Sequence, residues 1–295
     1  PTAVLTPKET DILFDNVKSM TARGLSVIFI SHKLKEVLKF SDRIVVLREG
    51  KKVGELLTSD ANEKIIAKLM VGEDTSVKKR DKIAVGKALL SMSNVSAKGT
   101  SVRNGLVNVS LTVFEHEILG IAGVSGNGQS MLAEVISGLS KLDDGELSFG
   151  FQISNNFSPK EVIKARVGRI PEDRHRDGMI GSMTVAENLI IENLDNSKIK
   201  SFGFLNRELM NLSALELCKK YDVRGPGTQA AARLLSGGNI QKMILARVFN
   251  NEPKIILANQ PTRGLDMGAA SEVERRLLDA RSRGTGTILI SEDLD

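Results

Sequence analysis

Residues 117–139 read EILGIAGVSGNGQSMLAEVISGL, and three local patterns follow one another in them. The apolar, β-prone run from Ile118 suits a buried strand and is far too short for a membrane span, which needs about 20 apolar residues. The next eight residues, GVSGNGQS (123–130), place their glycines in the G-x-x-x-x-G-K-[ST] spacing of a phosphate-binding loop. Met131, Leu132, Val135, Ile136 and Leu139 then recur at helical spacing, with Gly138 near the end. Gly126 and Gly128 let the backbone fold tightly, so that successive N–H groups converge on an anion at a helix N-terminus. Ser130 stands where a magnesium-binding hydroxyl belongs. The glycines alone would make only a strand-to-helix turn; strand, loop, serine and helix together predict nucleotide binding. Gly123, Ser125, Gly126, Asn127, Gly128, Gln129, Ser130 and Met131 are its candidate contacts. The departure is Gln129, which occupies the lysine position.

Composition sets limits around this reading. The 295 residues suffice for two domains, or parts of two. A single cysteine, Cys218, excludes an internal disulfide, fits a reducing compartment and reads as a packed helix residue. No signal peptide and no apolar run of spanning length is visible. The net charge is a modest +5, and the basic cluster VKKRDK (77–82) lacks interleaved aromatics, so it reads as a solvated linker and not as a nucleic-acid site.

An internal repeat sets the domain organisation. The stretches beginning at Pro1 and at Pro261 align without gaps at a constant offset of 260. Pro1–Thr2 meets Pro261–Thr262, Leu5 meets Leu265, Arg23–Gly24 meets Arg283–Gly284, and Ser31 meets Ser291. Each copy reads as a turn, an amphipathic helix ending at that glycine, and a short apolar strand. The expected organisation is the end of one domain at 1–72, a charged linker at 73–86, and a second, similar domain at 87–295 that stops short of its own end. On this reading the chain is a fragment. The helix of ANEKIIAKLMVGED closes the first copy, and ALLSMSNVS with LVNVSLTVFEHEILGI opens the second as strands around a tight turn.

Further along, LLSGGNIQKMILAR (234–247) leads Ser236, Gly237 and Gly238 into a helix with an apolar face at Ile240, Met243, Ile244 and Ala246. Serine and exposed N–H groups at such an N-terminus can grip phosphate oxygens. PKIILANQPTRGLD then gives a buried strand and a polar turn, and TILIS a further strand. The order of phosphate loop, LSGG helix, PTRGLD turn and TILIS strand resembles the ATP-binding cassette of ABC transporters, over essentially the whole chain. Tandem cassettes in one chain resemble the ATPase subunit of simple-sugar and nucleoside importers. The stretches IAGVSGNGQS, IPEDRHRDG and ANQPTRGLD look more like the nucleoside branch.

The resemblance implies an α/β fold of the P-loop NTPase kind, with a mostly parallel core sheet, an antiparallel β subdomain and a helical subdomain near 188–223. It implies ATP and Mg²⁺ as ligands, integral membrane permease subunits as partners, a substrate-binding lipoprotein indirectly, no nucleic acid, and a peripheral place on the cytoplasmic face of the membrane. Two cassettes close head to tail, so each ATP lies between one phosphate loop and the other cassette's LSGG segment, here Leu235, Ser236, Gly237, Gly238 and Asn239. By the same resemblance the second cassette is degenerate. Gln129 replaces the phosphate lysine, Asn259 the metal aspartate, Gln260 the catalytic glutamate, Glu292 the switch histidine and Glu172 the usual loop glutamine. No aromatic lies between Leu89 and Val102 to stack on adenine. Asn259 is a poor partner for a hard cation, and Gln260 can orient a water but not deprotonate it. His32 stands at the switch position of the first copy, where with the intact LSGG segment it would serve a competent site in the first cassette. His116 and His175 read as surface positions. Residues 170–190 match the region that faces the permease, against the plain alternative of a solvated loop. A different class, a non-transporting cassette acting as a regulatory or interaction module, would carry long charged inserts or basic arms, and none is visible.

Overall fold

The structure is a computed structural model and describes residues 7–31, 33–48, 50–71, 82–99, 101, 104–124, 126–150, 152–194, 197–201 and 203–292. The chain divides into two compact units, Pro1–Lys78 with Thr262–Glu272, and Lys79–Pro261 with Val273–Asp295.

In the first unit, α1 (Pro7–Thr21) is followed by α2 (Leu34–Phe40), β1 (Arg43–Arg48), β2 (Lys51–Leu57) and α3 (Glu63–Val71). α1 stops because Gly24 takes φ +92°, a left-handed geometry that glycine adopts without penalty, and the Leu25 N–H turns back to the Met20 carbonyl. The β1–β2 hairpin alternates: Ile44 and Val46 face inward onto Leu34, Ile66 and Ala67 of α2 and α3. Phe14 stacks on Phe40 at 3.9 Å between centroids and meets Phe29 edge-on at 5.3 Å.

One expectation needs correction here. Residues 25–30 are no strand: they pair with no strand among the described residues, and Ile28 and Ile30 are 94% and 88% exposed. The apolar sequence is β-prone, but a strand exists only where a neighbour completes its hydrogen-bond ladder.

The second unit contains β3 (Ala88–Ala97), β4 (Leu106–Phe114), β5 (Ile118–Ala122), α4 (Gln129–Ile136), β6 (Asp144–Phe149), β7 (Gln152–Ser154), α5 (Pro159–Lys164) and β8 (Val167–Ile170). It continues through α6 (Val185–Ile190), the short hairpin β9 (Lys200–Ser201) and β10 (Phe204–Leu205), α7 (Arg207–Lys220), α8 (Gly237–Asn250) and β11 (Ile255–Asn259). After the turn come α9 (Met267–Ser282), whose part from Val273 onward belongs to this unit, and β12 (Gly286–Ser291). Among the described residues two four-stranded sheets form, a parallel one in the order β5-β12-β11-β8 and an antiparallel one in the order β4-β3-β6-β7. This is the expected α/β architecture, with antiparallel strands gathered in their own sheet; the stretch 188–223 holds the end of α6 and all of α7.

Burial explains the order. Every residue of β11 is buried, as its uninterrupted IILAN run demands of an inner parallel strand. β5 lies at the edge and is only half-buried. Leu90, Val113, Ile136, Leu147, Leu257 and Ile288 belong to one core shared by both sheets and α4. Capping boxes start α5 at Ser158 and α6 at Thr184, each closed by the glutamate three residues on. The Thr184 backbone N–H and then its hydroxyl hold the Glu187 carboxyl below the ordinary carboxylate range.

Candidate functional site

Strand register assembles the site. Ile121, Ile290 and Asn259 stand level across β5, β12 and β11, Ala122 stands level with Ser291, and Ala258 with Ile170 of β8. The four parallel strands therefore end together, and each runs straight into candidate residues: the loop from Gly123, Glu292, Gln260 and Glu172. The carboxyl edge of a parallel sheet is where α/β folds take their ligands.

The loop has the backbone its glycines predicted. Gly126 and Gly128 adopt φ +85° and +91°. Leu132 N–H donates to the Gly128 carbonyl at 2.8 Å, starting α4 without a side-chain cap. Gly128 is buried, and a Cβ there would lie 2.7 Å from the Gly105 carbonyl oxygen. Ser130 is exposed and Met131 half-buried; Ser125 lies outside the described residues. The Gln129 side chain bends back over the loop, its Nε2 donating to the Val124 carbonyl at 2.9 Å and its Oε1 accepting the Asn127 N–H at 3.0 Å. Gly128→Asp combines a left-handed backbone with a collision at Gly105. We expect calorimetry to show weak Mg·ATP binding by the chain, and none by this variant; binding indifferent to the substitution would remove the loop from the site.

Two strands away from β5, at the end of β11, Asn259 is buried at 7% exposure. Gln260 takes φ +48°, an uncommon geometry for a non-glycine residue. Its N–H donates to the Ile290 carbonyl at 2.9 Å, and its Oε1 accepts the Glu292 N–H at 3.4 Å. The two candidate residues Gln260 and Glu292 are thus tied to each other. Ser130 and Asn259, the two candidate metal contacts, carry only neutral oxygens, which are poorer partners for a hard cation than carboxylates. Among the described residues no group of three or more His, Cys, Asp or Glu side chains could hold a metal.

The 235–239 segment opens α8. Ser236 is exposed at its N-cap and caps no backbone N–H; its Oγ instead accepts Asn239 Nδ2 at 2.9 Å. Asn239 Oδ1 accepts the Arg224 N–H at 2.7 Å. The Arg174 guanidinium packs over Gly237, where a Cβ would meet it at 3.4 Å. Burial lowers the pKa of that guanidinium. One turn into α8, the buried Gln241 donates from Nε2 to the Pro261 carbonyl at 2.8 Å, joining this helix to the turn after Gln260.

Several contributors were not evident from sequence. Arg247, inside the apolar run of α8, donates to the Gly178 carbonyl at 2.9 Å and the Asn188 carbonyl at 3.4 Å. Its Nε lies 3.0 Å from Glu192 Oε1, close enough for charge pairing though not aligned as a hydrogen bond. The fully buried Asn188 side chain in turn holds both backbone groups of Ile180. Gly178, Ile180 and Asn188 are thereby tied together and to α8, while residues 173 and 175–177 are exposed. The only hint was a lone arginine within apolar residues. His116 is a second correction: its Nδ1 meets the Arg281 carbonyl at 2.8 Å while Arg281 Nε donates to the His116 carbonyl, so it clamps the end of α9. His175 is exposed, and Cys218 is half-buried on α7 with its thiol pKa raised by burial. His32 lies outside the described residues.

Comparison with known proteins places this geometry. Residues 106–263 match the family described as ABC transporter. The chain is 44% identical over its whole length to the glucose import ATP-binding protein of Haloferax volcanii, covering 54% of that protein. It is 39% identical, again over its whole length, to the nucleoside import ATP-binding protein of Lactococcus lactis, covering 58% of it. The chain thus spans just over half the length of these relatives. Among solved structures, an ATP-binding cassette in a dimeric post-hydrolysis state with ADP and Pi superposes with a TM-score of 0.57 at 27% identity, over 70% of this chain and 89% of that one. A nucleotide-free cassette from an ABC transporter gives a TM-score of 0.57 at 25% identity, over 70% of this chain and 82% of that one.

Proposed function

The chain belongs to the ABC transporter family, and from that premise we propose that it is part of the ATP-binding subunit of an importer. In this reading residues 1–72 close a first cassette and residues 87–295 make up a second whose own nucleotide site does not hydrolyse ATP. The tandem arrangement is supported by the repeat at offset 260 and by relatives nearly twice as long. The exposed residues 25–30 add to it, because their repeat counterpart β12 is flanked on both sides, by β5 and β11.

The observation that carries the catalytic assignment is the level carboxyl edge of the parallel sheet, where β11 runs into Gln260, a side chain with no carboxylate, and Gln260 is tied to the Glu292 backbone. Loop N–H groups bind phosphate; Gln260 orients a water but takes no proton from it. Ser130 and Asn259 would be the residues to hold a magnesium ion, and their neutral oxygens would hold it weakly. Leu235, Ser236, Gly237, Gly238 and Asn239 present the α8 N-terminus to the ATP of the first cassette, whose switch residue is His32. Losing several transition-state contacts together costs orders of magnitude in rate, since one alone is worth about 10²–10³.

Membrane permease subunits are the partners in this proposal, with a substrate-binding lipoprotein reached through them. Among the described residues no helix is long and apolar enough to cross a membrane. The permease-facing surface is segment 170–190, tied to α8 through Asn188 and Arg247. For the cargo, the stretches around 121–130 and 170–178 favour a nucleoside, while the 44% identity to a glucose import protein favours a sugar. Full-length protein should retain a permease on pull-down and drive ATP-dependent uptake of labelled guanosine or glucose in vesicles. The 295-residue chain alone should release no phosphate above background. Robust hydrolysis by the chain, abolished by Gln260→Ala, would overturn the degenerate-site assignment, and retention of ribosomes in place of a permease would favour the interaction-module class.

A further inference from the structure

We propose that Gln129 is a built-in occupant of the phosphate loop and sets how readily the second cassette takes nucleotide. The inference rests on reading 123–130 as a nucleotide loop and adds a role that loss of a lysine charge does not contain.

The carboxamide closes on the loop at both of its ends. Oε1 accepts the Asn127 N–H at 3.0 Å, one of the backbone donors a phosphate oxygen would use, and Nε2 donates to the Val124 carbonyl at 2.9 Å. Asn127 Nδ2 donates to the same carbonyl at 2.8 Å, so the turn is cross-braced by two side chains. The reach depends on Gly123, where a Cβ would come within 2.6 Å of Gln129 Nε2.

The side-chain chemistry makes glutamine suited to this position. A lysine ammonium has three donors and no acceptor, so it cannot satisfy a loop N–H and is left to attract an anion. A carboxamide carries donor and acceptor together, and its oxygen imitates the phosphate oxygen at that N–H. Nucleotide must therefore displace two hydrogen bonds before its phosphates reach Asn127. Both bonds are near the solvent-exposed residues Val124 and Asn127, so the barrier to displacement is modest. Competition of this kind lowers apparent affinity by the fraction of time the loop is open. We expect about a tenfold effect, equivalent to about 1.4 kcal/mol.

The test is photolabelling of the full-length protein with 8-azido-ATP over a concentration series, followed by tryptic mapping of the label to residues 88–141. Gln129→Ala removes both bonds and Gln129→Met removes them at constant length; neither adds charge. Both should reach half-saturation at about tenfold lower nucleotide than wild type. Gln129→Glu keeps the acceptor, loses the donor and repels phosphate, and should label no better than wild type. Unchanged thermal melting of each variant controls for folding. Wild type labelled in this region with the same half-saturation as Ala and Met would overturn the occupant role while leaving the nucleotide site intact. Absence of label from 88–141 in every variant, with label elsewhere in the protein, would overturn the nucleotide reading itself.

Discussion

Ser236→Arg and His32→Ala, each made in the full-length protein reassembled with its permease, should lower steady-state phosphate release by about a hundredfold or more. The two residues are more than two hundred positions apart, yet both are assigned to the ATP of the first cassette. Ser236 is exposed at the N-cap of α8 and leaves the backbone N–H groups uncapped, so an arginine there puts bulk where the γ-phosphate must approach. In the proposed assignment, His32→Ala would remove a contact made as charge develops on that phosphate. Because the residues act as one unit, the double variant should be little worse than the poorer single one. Losses that multiply would place them in separate sites.

Arg247→Ala should destabilise the second unit by about 3 kcal/mol, seen as a lower midpoint in urea denaturation. The guanidinium is 8% exposed, and its removal strands the Glu192 carboxylate together with the Gly178 and Asn188 carbonyls. Glu192 retains 24% exposure, which keeps the loss at the lower end of the range for buried pairs. Arg247→Lys keeps the charge without the fork geometry and should fall between. A loss below about 1 kcal/mol for the alanine variant would mean that segment 170–190 is held to α8 by other contacts.

What the sequence displayed was whatever is local. The phosphate loop, the α8 start, the buried β11 and the β12 run each occupy a contiguous stretch whose period and punctuation can be read directly. Their convergence was readable only through family resemblance, because register between β5, β12 and β11 joins residues far apart in the chain. The Arg247 contacts to Gly178 and Asn188 span 69 and 59 positions, and no local pattern announces them. Glutamine at 129 was visible as a missing charge, but its fold back onto Val124 and Asn127 depends on loop geometry. Residues 25–30 had the composition of a strand and did not form one, because composition cannot supply a neighbour.

In the proposed function this cassette lends its α8 N-terminus to another site while its own site stays catalytically silent. Phosphate release from the reassembled full-length protein carrying Gln260→Ala together with Glu292→Ala, measured beside Ser236→Arg, decides between the sites. Turnover should stay within a few-fold of wild type for the first protein and be almost lost for the second. Loss of turnover in the first with tolerance of Ser236→Arg would show that the sites are assigned the wrong way round.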